Sequence, residues 1–295
     1  MNSGKPWTQD RLRTLLQAPA VGLLFLWMIV PLGMTIYFSF IRYILVNPDA
    51  KGFVGLDNYR FLWKDPSFVP AVLNTVVLIG SVLAITLVLG TLMAVLYGRG
   101  FPGRNVALLL VIAPFFVMPT VSALVWKNMI MHPVYGLLAR GFALIGQPPV
   151  DWFGAHPMMS IIIILSWEWF PFAFLVLYTS LKSLDQEQTE AAVIDGANSV
   201  QLFLRIIIPH LKRAMGVVIM IETIFLLSIF AEIHITTSGG PGTATTNIAY
   251  LVYSLGLQQF DVGIGSAGGI LAVVVANVAA LFLLRITAKS LRGDG

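Results

Sequence analysis

Six stretches of this chain stay apolar for about twenty residues or more, the length a helix needs to cross roughly 30 Å of hydrocarbon. They run over about 18–40, 69–97, 106–126, 158–180, 213–235 and 266–286. Backbone N–H and C=O groups inside a bilayer find no water, so spans of this kind must be helices that satisfy their own hydrogen bonds. The chain therefore reads as an all-α integral membrane protein with six transmembrane helices. Its composition agrees: 11% of residues are charged, against about 25% in soluble domains. The first run follows a basic flank, as in a signal peptide, but it is too long and no small-residue cleavage site follows. It is expected to be an uncleaved span. Pro114 and Pro119 predict a kink in the third span, tolerable where neighbours re-satisfy the freed carbonyls.

Charge sets the orientation. With both termini inside, twelve Lys and Arg fall on inner segments and six on outer ones, which favours cytoplasmic termini. Residues 1–17 are then a cytoplasmic segment, 18–286 the six-span transmembrane domain and 287–295 a cytoplasmic tail. The net charge of +4 belongs to this asymmetry and not to nucleic-acid binding. The chain has no cysteine, which removes disulfides and thiol chemistry. His132, His156, His210 and His234 lack metal-ligand spacing. No G-x-x-x-x-G-K-[ST] stretch occurs, so the chain has no P-loop for ATP.

The segment 181–212 is too structured for a linker. Ser183 with Gln186, or Asp185 with Gln188, offers a capping box at a helix start. Asp185, Glu187 and Glu190 suit the positive end of that helix. Ala191, Ala192, Val193 and Ile194 continue it, and Gly196 provides a left-handed end. Asn198 or Ser199 can cap a second short helix carrying Leu202, Phe203, Ile206 and Ile207. By physics alone this helical hairpin either meets a cytoplasmic partner or lies at the lipid interface.

Glu190-Ala191-Ala192, Asp195-Gly196-Ala197, Ile207 and Pro209 match the spacing of the EAA signature, and the chain resembles the ABC importer permeases. Gly55-Leu56-Asp57-Asn58-Tyr59, Asn74-Thr75 and Gly239-Gly240-Pro241-Gly242 resemble the carbohydrate subfamily of the maltose-permease type, and Thr243–Asp261 resembles sorbitol/mannitol polyol permeases. The resemblance implies a type I importer (MetI-like) fold in a bacterial inner membrane. It implies a coupling helix in which Glu190, Ala191, Ala192, Asp195 and Gly196 meet an ATPase. It also implies four kinds of partner: a second homologous permease, two ATP-binding subunits, an extracytoplasmic solute-binding protein, and a sugar or polyol substrate. The chain itself would bind no cofactor and catalyse nothing, ATP and Mg being held by the partner ATPases.

Glu168, Glu222 and Glu232 fall in or near spans, where an ionised group costs about 2.5–3.5 kcal/mol on insertion scales and so must face protein or water. Glu232 lies near an outer end, within reach of water. Carboxylates accept hydrogen bonds from sugar hydroxyls, and aromatic faces cover sugar C–H surfaces. By resemblance, counting outward from the Glu-Ala-Ala segment, the substrate path takes Trp167, Trp169 and Phe172 from the fourth span and Glu222, Phe225 and Leu226 from the fifth. Glu168 and Asn277 lie at similar depth, and packing roles for each of these residues compete with the path. Glu222 stands where a small polar residue is expected, a departure that favours a small, hydroxyl-rich ligand. The competing function is a proton-coupled secondary transporter with Glu168 and Glu222 as relays, which predicts an inverted repeat that is not visible.

Overall fold

The computed structural model describes residues 6–292. The chain is almost wholly helical, with one short hairpin: α1 Pro6–Ser39, β1 Ile41–Ile44, β2 Asn47–Phe53, α2 Asp57–Lys64, α3 Phe68–Gly98, α4 Arg104–Ile112, α5 Pro119–Val125, α6 Leu137–Leu144, α7 Trp152–Ala155, α8 Pro157–Lys182, α9 Gln186–Ile194, α10 Ser199–Leu202, α11 Ile208–Leu226, α12 Ala231–Thr236, α13 Ile248–Tyr253 and α14 Val262–Arg292. Contacts divide it into two units, the chain up to Lys64 with Val252–Leu271, and Asp65–Leu251 with the remainder of α14.

In the first unit, β1 and β2 pair antiparallel, Ile41 opposite Phe53. The Gly55–Tyr59 motif closes this hairpin onto the end of α1. Gly55 takes φ +57, a left-handed conformation that glycine adopts without penalty. Asn58 then donates to the Ser39 and Ile41 carbonyls, both at 2.9 Å, and the Tyr59 hydroxyl donates to Ser39 Oγ at 2.8 Å. The bond to the Ser39 carbonyl satisfies an acceptor that the end of α1 leaves open.

The second unit is built on α3, α8 and α11. Gly90 of α3 lies against Ala173 and Phe174 of α8, where an added Cβ would sit 3.1 Å from each. That close approach buries Ala94, Tyr97, Phe174, Leu177, Leu211 and Val218 in one core. Tyr97 meets Phe174 edge-on at 5.1 Å, and Phe174 stacks on Tyr178 at 5.5 Å. The segment between α12 and α13 is pinned to α3. Asn74 donates to the Thr243 and Thr246 carbonyls at 2.8 and 2.9 Å, and Thr75 Oγ1 accepts from the Ile248 N–H at 3.0 Å.

Among the described residues, four helices are long and apolar enough to cross a membrane: Thr14–Ser39, Phe68–Gly98, Pro157–Lys182 and Val262–Leu281. A fifth arises if Arg104–Phe116 and Pro119–Ile130 count as one span, and these two bend by 104° where a kink was expected. Pro119 has no N–H to give, and Val117–Met118 between the halves is extended. The expected span at 213–235 is a 19-residue helix, α11, followed by a non-helical break before α12.

Candidate functional site

The hairpin after α8 forms as two helices. Asp185 caps α9, its Oδ1 accepting the Glu187 N–H at 3.0 Å. Gly196 ends it at φ +85, and the Ala197 N–H reaches back to the Ala192 carbonyl at 2.9 Å. Asn198 then starts α10 through a capping box with Gln201, each side chain accepting the other's N–H at 2.9 Å. The sequence pointed to Asn198 but not to its reciprocal partner. Glu190, Ala191, Asp195 and Gly196 are exposed and Ala192 is half-buried. Val193 and Ile194 lie beside them, 59% and 85% exposed, so the hairpin ends in an uncovered apolar tip.

The residues expected along a path divide into three groups. Trp169, Phe172 and Phe225 come together: Trp169 lies 5.2 Å from Phe225 and 6.1 Å from Phe172 between ring centroids. Phe115 completes the cluster, 5.9 Å from Trp169 and stacked on Phe172 at 6.0 Å. Sequence reading missed Phe115. Its only signal was an aromatic pair between Pro114 and Pro119, and it reaches α8 because the chain bends there. Phe225 keeps 53% of its surface exposed.

The second group turns into the protein. Glu222 is fully buried and accepts the Thr86 hydroxyl at 2.8 Å. Leu226 is buried in the core. Trp167 packs edge-on against Trp126 at 5.7 Å. Glu168 is 7% exposed, its carboxyl facing that of Glu232 and the Ser122 hydroxyl. Glu232 is 2% exposed and does not reach water as its position implied, because the break after α11 turns α12 onto α5. Asn277 stands apart. It is exposed and donates to the Val273 carbonyl of its own helix at 2.8 Å.

A cleft of about 960 Å³ opens between α8 and α11. Phe172, Val176 and Thr179 line one wall, and Arg213, Ala214 and Val217 the other. Phe172 belongs to both the aromatic cluster and this cleft, and Ser183 and His210 at the base of the hairpin line its far end. Among the described residues no group of three or more His, Asp or Glu is arranged to hold a metal.

Residues 68–293 match the family model of the binding-protein-dependent transport system inner membrane component. The chain belongs to this family. It is a membrane component of a transport system and not an enzyme, which leaves the proton-coupled alternative without support. Among this permease's relatives, a probable ABC transporter permease protein of Sinorhizobium fredii is 32% identical over 91% of this chain and 87% of its own. The trehalose/maltose transport system permease protein MalF of Thermococcus litoralis is 31% identical over 97% of each chain. A crystal structure of a bacterial ABC transporter that imports the acidic polysaccharide alginate contains a chain with the same fold. Its TM-score is 0.79 at 23% identity, covering 97% of this chain and 99% of that one.

Proposed function

We propose that the permease forms half of the membrane channel of an ABC importer and carries a sugar or polyol inward. The observation that carries this reading is Phe172, which joins an aromatic cluster at one end of the cleft to the base of the exposed hairpin at the other. Aromatic faces suit the C–H surfaces of a sugar, and the rings of this cluster also hold one another, each aromatic pair adding about 0.5–1.5 kcal/mol beyond burial. Relatives named as trehalose/maltose and sulfoquinovosyl glycerol permeases support a carbohydrate.

In this reading the solute meets Trp169, Phe172, Phe225 and Phe115, while Glu222, Leu226 and Trp167 hold the helices that carry them. The 181–212 hairpin is the coupling element. Its apolar tip beside Glu190 and Gly196 enters a cleft on an ATP-binding subunit, which supplies ATP and Mg. The chain crosses the inner membrane six times with both termini cytoplasmic, α11 and α12 together making the fifth crossing. It pairs with a second, homologous permease and receives solute from an extracytoplasmic binding protein. The test is to purify the complex with its neighbours and measure ATP-dependent uptake of labelled trehalose, maltose, sorbitol and mannitol into vesicles. Uptake that needs ATP and binding protein supports the reading. Purification without an ATP-binding subunit, or uptake driven by a proton gradient alone, rejects it.

A further inference from the structure

The two stems of the hairpin join the bundle differently. On one side the helix is continuous: α10 passes through a π-helical turn at Phe203–Ile207 straight into α11. A displacement of the hairpin therefore reaches α11 along an unbroken helix. On the other side α8 ends at Lys182, and Ser183–Asp185 intervene before α9. A three-residue link of this kind bends, so the same displacement would be lost before α8.

One side chain bridges that gap. His210, in the first turn of α11, places Nε2 2.9 Å from the Ser180 carbonyl and 3.4 Å from Ser183 Oγ. Ser180 is in the last turn of α8, and its carbonyl also accepts the Ser183 N–H at 3.0 Å. The Ser183 hydroxyl also donates to that carbonyl at 2.7 Å. The contact closes thirty residues of chain at their base. Leu177 and Leu211 also belong to the core shared by these two helices, but apolar contact carries no directional bond. A hydrogen bond from a fixed ring to a fixed carbonyl sets the register. That register matters because α8 carries Trp169 and Phe172 while α11 carries Phe225.

We propose that His210 is a positioning residue, a clasp that makes α8 and α11 answer a push on the hairpin as one body. The proposal rests on the coupling role given to the hairpin above. Nε2 carries the proton and donates to Ser180. The clasp lies at the end of the cleft away from the aromatic cluster, so its loss is expected to alter transmission more than binding.

The test uses the complete complex with its ATP-binding subunits. The chain has no native cysteine, so Thr179→Cys with Val217→Cys gives a spin-label pair across the cleft. The inter-label distance is recorded with and without ATP. Without His210→Ala, one narrow distribution should shift as a unit on ATP binding. With it, the ratio of clasped to unclasped populations should fall roughly fivefold, the weight of one net hydrogen bond, so the distribution broadens and the ATP-driven shift no longer moves as one unit. His210→Gln, whose amide N–H reaches toward the same carbonyl, should restore both. A wild-type distribution and shift in His210→Ala, or a Gln variant as broad as the Ala variant, overturns the clasp. No ATP response with His210 intact overturns the coupling role itself, and the clasp with it.

Discussion

Thr86 on α3 donates its hydroxyl to Glu222 on α11 at 2.8 Å, and Glu222 has no exposed surface. A bond to a buried carboxyl joins the two helices away from the aromatic cluster. Removing the donor leaves that carboxyl unsatisfied, at a cost of about 1–3 kcal/mol. Thr86→Val should therefore lower the thermal midpoint of the purified complex. Its preference among solutes should stay as in the parent, and a changed preference would return Glu222 to the path.

Trp169 and Phe172 present rings to the same space from adjacent turns of α8. Replacing Phe172 by Ala removes a ring contact of about 0.5–1.5 kcal/mol, which corresponds to a rise in the apparent KM for uptake of roughly twofold to tenfold. Assembly should survive, because Phe172 is only half-buried. Uptake kinetics in vesicles check this, and an unaltered KM would remove Phe172 from the path.

Gly90 of α3 packs directly against the Ala173–Phe174 stretch of α8. A valine there must push Ala173 and the Phe174 backbone aside, and overpacking of this kind costs about 1–3 kcal/mol. Gly90→Val should reduce the yield of folded permease in detergent, measured by size-exclusion profile. Gly80, which has nothing within 4 Å of an added Cβ, should accept the same change.

Gly196 holds φ +85 with open space around it, so the strain of a substitution there is conformational and not steric. A β-branched residue in the left-handed region costs on the order of 1–2 kcal/mol. Gly196→Val should distort the hairpin while leaving the α3–α8–α11 core intact. The expected result is a complex that still hydrolyses ATP but moves less solute per ATP, read by paired uptake and phosphate-release assays.

The local devices were legible in the sequence where chemistry is local. Asp185, Gly196 and Asn198 do what their side chains or their lack of one require. The long apolar helices and the proline bend were equally readable, since length and hydropathy dictate them. What failed to show was direction. Trp167, Glu168 and Trp169 are neighbours in the chain, yet a helix turns them toward different partners: Trp126, Glu232 and Phe225. Phe115 escaped notice because only the 104° bend brings it to Phe172. The fifth span was drawn through its break because Leu227–Phe230 are as apolar as the helix before them.

That break limits how far a push can travel. From the Asn198 cap to Leu226 the helix runs unbroken, about 40 Å at 1.5 Å per residue, comparable to a bilayer with its headgroups. Its far end is one residue past Phe225. On the proposed coupling, the helix is a strut whose push ends at the aromatic cluster. α12 lies beyond its end, packed on α5 and facing α8 through Glu232 and Glu168. On the same coupling, the two stems of the hairpin then reach the bundle through different helices, and a lesion in one stem should impair the response to ATP differently from a lesion in the other.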